Sequence, residues 1–325
     1  MFIVRHVTEN VEAPVPELRP LGVGEILDVS IKLYTRHFRT LLAIVALVVV
    51  PVELLLVPVV ASALPDPALL RPQLGLTPEP VNVSERDLGR FLTGSAVSAV
   101  FAIIATLLAQ AAAFQAVREA YLGQRPDWRR SLRFMVRRLH SVLWISILAL
   151  VLLFLALLAG GIVTGIVAAL AGGGGPSIAI VSLGVATLIT GLVWLGVSWA
   201  LPLPALMVER LRGRRALGRS FRLVRGRWWP TFAAIGLGFG LALVVQLVAT
   251  GLLQALLFTD IGENAVAAVV ISQLGNAVGA SLATPIQAAI VAVVYFDLRV
   301  RKEGFDLELL AERVGEDSAT RERPR

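Results

Sequence analysis

The chain has 325 residues, 56% of them hydrophobic and only 16% charged, with a mean hydropathy of +0.77. Soluble domains carry about 25% charged residues, so a soluble globule of this size is excluded. The formal charge of +7 rests on 28 Arg and 2 Lys against 23 acids, and the lack of any cysteine removes disulfides, thiolate metal sites and cysteine nucleophiles together. With three histidines, His6, His37 and His140, metal chemistry is poorly supplied, and neither a metal nor another cofactor is expected.

In chain order, residues 1–20 read as a mixed-charge, Pro-containing tail with no apolar core of a cleaved signal peptide. Six apolar runs follow, at 41–64, 91–117, 142–170, 178–208, 231–258 and 265–296. Each exceeds the ~20 residues that cross a ~30 Å hydrocarbon core, and the third, fourth and sixth are long enough to tilt or protrude. A Pro-rich, mildly acidic connection (65–90) separates the first two, and the stretch Gly172 to Pro176 breaks the third from the fourth as a tight, uncharged turn.

Basic residues sort sharply by connection. Five lie before the first run, seven between the second and third, eight between the fourth and fifth, and seven after the sixth, while the opposite side holds only Arg71, Arg86 and Arg90. Positively charged loops stay in the cytoplasm, so both termini are expected on the cytoplasmic side of the membrane, with three hairpins crossing it. The basic charge then reports topology, and a nucleic-acid partner is not expected.

The segments leading into the first, third and fifth runs repeat one phrase: Ser30 to Arg39 (SIKLYTRHFR), Ser131 to His140 (SLRFMVRRLH) and Ser220 to Trp229 (SFRLVRGRWW). The returning runs also end alike, in Arg118-Glu119, Glu209-Arg210 and Asp297-Leu298-Arg299. This predicts an all-α integral membrane protein with six transmembrane helices as three repeated hairpins, each preceded by an amphipathic cytoplasmic interfacial helix. The units are an N-tail (1–20), repeats at 21–117, 118–208 and 209–296, and a C-tail (297–325). In the C-tail, Phe305, Leu309 and Leu310 share one face of a short helix suited to docking on the protein itself or on a partner.

Three phrases carry a family resemblance: LRPLGVGEILD at 18–28, RSFRLVRGRW at 219–228 and YFDLRVRKEGFDLE at 295–308. The chain resembles, over residues 18 to 312, bacterial proteins of the glycerophosphoryl diester phosphodiesterase membrane-domain type. That resemblance implies a polytopic membrane module that anchors or assists an enzyme elsewhere. Phosphodiesterase activity is not implied, because the catalytic barrel of such enzymes needs about 250 soluble residues.

Glu53 is the one ionisable residue inside an apolar run. Counted from the cytoplasmic side it lies ~20 Å deep, in the outer part of the bilayer, where an acid is either functional or a neutral carboxyl bonded to a neighbouring helix. The same count puts Gln246 and Gln273 in the outer half and Asn276 slightly deeper; with Glu53 they either line a small polar cavity or tie helices together. The pairs Gly161 with Gly165, Gly236 with Gly240, and Gly275 with Gly279 are candidates for close helix packing. Arg133, Arg137, Arg138, Arg214, Arg215, Arg219, Arg222, Arg225 and Arg227 are candidates for gripping anionic headgroups, or serve only to retain their loops inside.

Without a nucleotide loop, HExxH or GxSxG, no catalytic residue is assigned. The first functional reading is a non-enzymatic membrane scaffold or accessory protein that meets the bilayer through its basic helices and a protein partner through its C-tail. The alternative is a small-solute, ion or lipid transporter whose site includes Glu53.

Overall fold

A computed structural model describes residues 19–64, 84–170, 174–209, 214–258 and 264–304, and these are helical with no strand. Most of the connection expected at 65–90, the start of the Gly172 turn, Arg210, Arg212 and the C-tail helix lie outside the described residues. Among the described residues five helical segments are long and apolar enough to cross a membrane: Phe38–Ala63, Glu85–Tyr121, Pro176–Glu209, Trp228–Phe258 and Ala265–Glu303. The protein is therefore membrane-embedded and all-α.

Helix α1 (Val23–Arg36) lies against one end of the bundle and buries Ile26 and Ser30. Its first turn is closed by Glu25, whose carboxylate accepts the Gly22 N–H at 2.8 Å. A single residue, His37, separates it from α2 (Phe38–Ala63), which continues through Pro51 and Pro58. Burial and the neighbouring charge of Arg36 hold the His37 imidazole below its ordinary pKa. Helix α3 (Glu85–Tyr121) starts at Ser84, whose Oγ accepts the Asp87 N–H, and buries an alanine-rich face from Ala109 to Ala116.

Helix α4 (Trp128–Leu170) runs unbroken, so the second amphipathic segment and the apolar run behind it are one helix of 43 residues. In the third unit the corresponding junction is broken by Gly226 at φ 86°. In the repeat register Gly226 stands where Arg137 and Arg36 do, and glycine permits the left-handed turn there. The apolar part of α4 at Phe154–Leu170 is shorter than the five spans.

The fourth apolar run is broken rather than continuous, into α5 (Gly174–Ser198) and α6 (Pro202–Glu209). Pro202 cannot continue the ladder, and the break is repaired by Ser220 from α7 (Arg214–Val224). Its Oγ donates to the Ser198 carbonyl at 2.8 Å and accepts the Leu201 N–H at 3.1 Å, all in fully buried surroundings. Ser220→Ala orphans both groups and lowers stability by about 1–3 kcal/mol, read as thermal unfolding in nanodiscs. An unchanged midpoint would mean that water reaches the break.

Helix α8 (Trp228–Gln254), extended by a 3₁₀ turn at Ala255–Phe258, packs along α9 (Ala265–Glu303). Helix α9 is the centre of the molecule, seated against α8, α2 and α3 with Ala268, Gly275, Ala277, Gly279, Ala283, Ala289 and Ala292 at its contacts. Small side chains let three neighbours approach at once. Helix α5 has the opposite character: Ile178, Leu183 and Ile189 are exposed, and the α4–α5 hairpin stands at the rim. The α2–α3, α4–α5 and α8–α9 pairs are therefore not packed alike.

Of the small-residue pairs, Gly275 and Gly279 face Thr250 and Gln246 of α8. Gly161, Gly165, Gly236 and Gly240 have open space where a Cβ would stand. The close approaches fall one or two residues away, at Gly160 against Leu188 and Gly238 against Ile290, because rotation of each helix about its axis selects which small residue meets a neighbour.

Candidate functional site

A cavity of about 430 Å³ opens among α2, α3, α8 and α9. Its lining reaches from Val60, Phe91 and Gln254, near the helix ends where α2 leads towards α3, inwards to Glu53 and Thr106. Glu53, Gln246, Gln273 and Asn276 all face it, contributed by three helices. Ser95, Ser98, Thr106, Gln254 and Ser272 complete the polar lining. No Arg, Lys or His is among the described lining residues, and Glu53 is the one carboxylate among them.

Glu53 is 6% exposed, and its Oε2 accepts from Gln273 Nε2 at 3.0 Å; the same nitrogen lies 3.4 Å from the Glu53 carbonyl oxygen. Both Pro51 and Pro58 flank this turn of α2, where each proline leaves the carbonyl four residues earlier without its helical partner. The Gln273 nitrogen is thus a fixed donor, and its amide oxygen remains an acceptor. A second amide pair ties α3 to α9 separately, with Gln110 Nε2 donating to Gln287 Oε1 at 2.8 Å.

The serines escaped the sequence reading because hydroxyls on apolar helices ordinarily bond back to their own backbone. Most here do so: Thr93, Thr106, Thr187, Thr190 and Ser198 each donate to the carbonyl four residues earlier at 2.7–2.8 Å. Ser98 and Ser272 do not, and their buried Oγ atoms have no partner. Ser131 and Ser281 share that lack but are not among the residues lining this cavity.

The opposite end of the bundle carries most of the described arginines. Exposed arginines of α4, α7 and the turn after α7 include Arg133, Arg137, Arg214, Arg215, Arg222 and Arg225, and Arg138 lies over the Phe134 ring at 5.8 Å. Arg227 lines a separate small cavity of about 150 Å³ with Gly22, Thr231 and Arg301. Arg219 departs from the headgroup assignment, because its guanidinium is engaged internally. Its Nε lies 2.7 Å from Glu209, its Nη2 donates to Glu303 at 2.7 Å, and Tyr295 donates to Glu209 at 2.8 Å. Burial opposes the charge on Arg219, but its hydrogen bonds to Glu209 and Glu303 outweigh that and hold its pKa above the ordinary value.

The three acids that close the returning helices make related contacts. Glu119 accepts from Gln115 and from the Asp127 N–H at the start of α4, and faces Arg130 at 3.9 Å. Glu209 takes Arg219 of α7, and Asp297 accepts the Leu21 N–H just before α1 at 2.7 Å. Ser30, Ser131 and Ser220, which open the repeated phrases, are all buried at 1% exposure or less.

A family model described as a domain of unknown function (DUF8558) matches residues 11–316, which includes every helix above. The chain belongs to this family. No curated protein and no solved structure matches it. The family's description names no activity, so function rests on the cavity and on the charged end.

Proposed function

We propose that this member of the DUF8558 family is a carrier that admits a small polar or charged solute to the cavity around Glu53. The observation that carries this reading is the convergence of one carboxylate, four amides and four hydroxyls from four helices on a single cavity in an otherwise apolar bundle. A polar lining of this extent is costly among lipid-facing helices unless it serves a ligand or a pathway. In this reading the membrane carries six spans, with the apolar part of α4 as the sixth, both termini cytoplasmic, and the cavity nearer the outer face. The twenty-seven basic residues on one side support that orientation, and the three buried serines and three clasping acids support a threefold ancestry of the hairpins.

The absence of native cysteine makes the test direct. Single cysteines at Ser98, Gln246 and Asn276 react with a small charged thiol reagent added from outside, whereas cysteines at Leu47 and Leu252, exposed on the apolar exterior, do not. Cysteines at Ser84 and Gln124 report opposite faces. Failure of all three cavity positions to label from either side would overturn the carrier reading.

A second reading, a non-enzymatic scaffold or accessory protein, is favoured by the exposed arginines of α7, which suit anionic headgroups or an acidic partner. The resemblance to the glycerophosphoryl diester phosphodiesterase membrane-domain type belongs with it, as a module that assists an enzyme without phosphodiesterase activity of its own. Co-purification in native-lipid nanodiscs of a stoichiometric protein that is lost when residues 305–325 are deleted would move the assignment to the scaffold.

A further inference from the structure

We infer that the cavity holds a monovalent cation, an alkali ion or a protonated amine, with Glu53 as counter-charge and neutral oxygens of Ser98, Ser272 and the lining amides as its other ligands. This rests on the carrier reading and specifies what is carried. Three observations converge on positive charge. Among the described residues the lining has one carboxylate and no basic side chain, so the charge they fix is negative or zero. An unpaired carboxylate in a low-dielectric site either takes a proton or recruits a cation.

The unpartnered hydroxyls point the same way. Ser272 is 6% exposed, and its Oγ and that of Ser98 forgo the backbone carbonyl that other hydroxyls of these helices use. A buried hydroxyl without a partner costs about 1–3 kcal/mol, a cost that a ligand accepting or coordinating the oxygen removes. Gln273, with its nitrogen committed to Glu53, offers only its carbonyl oxygen to a third party. The donors on offer are thus carboxylate, hydroxyl and amide oxygen, the hard set that suits alkali and ammonium ions; nitrogen and sulfur ligands for softer metals are absent from the lining.

Charge count selects the valence. Divalent sites of protein oxygens commonly gather several carboxylates, and here one is present. At about 430 Å³ the cavity exceeds a bare ion many times over, so the remainder holds water or the body of an organic amine.

The test uses the full chain in nanodiscs of zwitterionic lipid, with thermal unfolding followed in sodium, potassium or methylammonium chloride at fixed concentration. A ligand bound only by the folded state raises the midpoint by mass action. The expected result is a cation-specific rise in the wild type that Glu53→Gln abolishes and Ser272→Ala reduces, with apparent affinity falling about tenfold or more for the first. Sodium or potassium against methylammonium separates an inorganic ion from an amine. Should Glu53→Gln fail to fold, the Ser98→Ala, Ser272→Ala pair carries the same comparison. Equal shifts in wild type and variants, with cavity cysteines still labelling, would overturn the cation while leaving the carrier. Equal shifts together with unreactive cavity cysteines would overturn both.

Discussion

Arg219→Ala lowers the unfolding free energy by roughly 2–4 kcal/mol, because it strips one guanidinium from two carboxylates at once. Glu209 and Glu303 both engage Arg219, and Tyr295 donates to the same Glu209 from inside the bundle. All three charged side chains are mostly enclosed, at 18%, 20% and 29% exposure, so water replaces the lost cation only in part. That places the loss between the small effect of an exposed pair and the larger one of a fully buried pair. Arg219→Lys recovers little, since one ammonium cannot span two acids as the forked guanidinium does. Adding Glu209→Gln to Arg219→Ala restores part of the loss by removing one uncompensated charge, since Glu303 keeps Arg299 at 3.2 Å whereas Glu209 keeps only the neutral Tyr295 hydroxyl. The measurement is the thermal midpoint of each variant in the same lipid; a midpoint for Arg219→Ala equal to that of the wild type would show that the network contributes no stability.

Gly279→Leu carries the second large effect, a loss of about 3 kcal/mol with partial separation of α8 from α9. A Cβ at Gly279 collides with the Thr250 hydroxyl and would stand 3.0 Å from the Gln246 carbonyl oxygen, which is backbone and cannot rotate away. The same contact borders the cavity through Gln246, so cysteine labelling at Asn276 should change with it. Gly236→Ala and Gly240→Ala provide the contrast. Nothing stands within 4 Å of a Cβ at either, and alanine is the better helix former by ~1 kcal/mol, so both variants hold or gain stability. Equal losses at Gly279 and Gly240 would show that glycine acts through helix flexibility rather than close approach.

Several features were legible in the residues because they are one-dimensional. Apolar runs long enough to cross a bilayer mark membrane spans wherever they occur, and Glu53 stands out in the first of them by charge alone. The position of Gln246, Gln273 and Asn276 along their helices follows from counting residues. What counting leaves open is azimuth. Gly236 and Gly240 look as suited to packing as Gly275 and Gly279, yet only the latter pair meets a neighbouring helix. Arg219 reads as one more basic loop residue, and its engagement depends on Glu303, 84 positions away.

The cavity serines illustrate the same limit. Ser98 and Ser272 are indistinguishable in sequence from Thr187 or Ser198, which satisfy themselves on their own backbone. Pro202 is visible in the chain, yet 178–208 reads as one apolar run, and neither the break there nor its repair by Ser220 follows from the residues alone. By itself, then, the sequence determined that the chain lives in a membrane, which segments are apolar enough to cross it, and how its polar residues are spaced along them. The tertiary structure alone decided which of those residues share a cavity and which charge is spent internally. The physical reason is that rise per residue is set by the helix, whereas rotation about each helix axis is set by the neighbours it packs against.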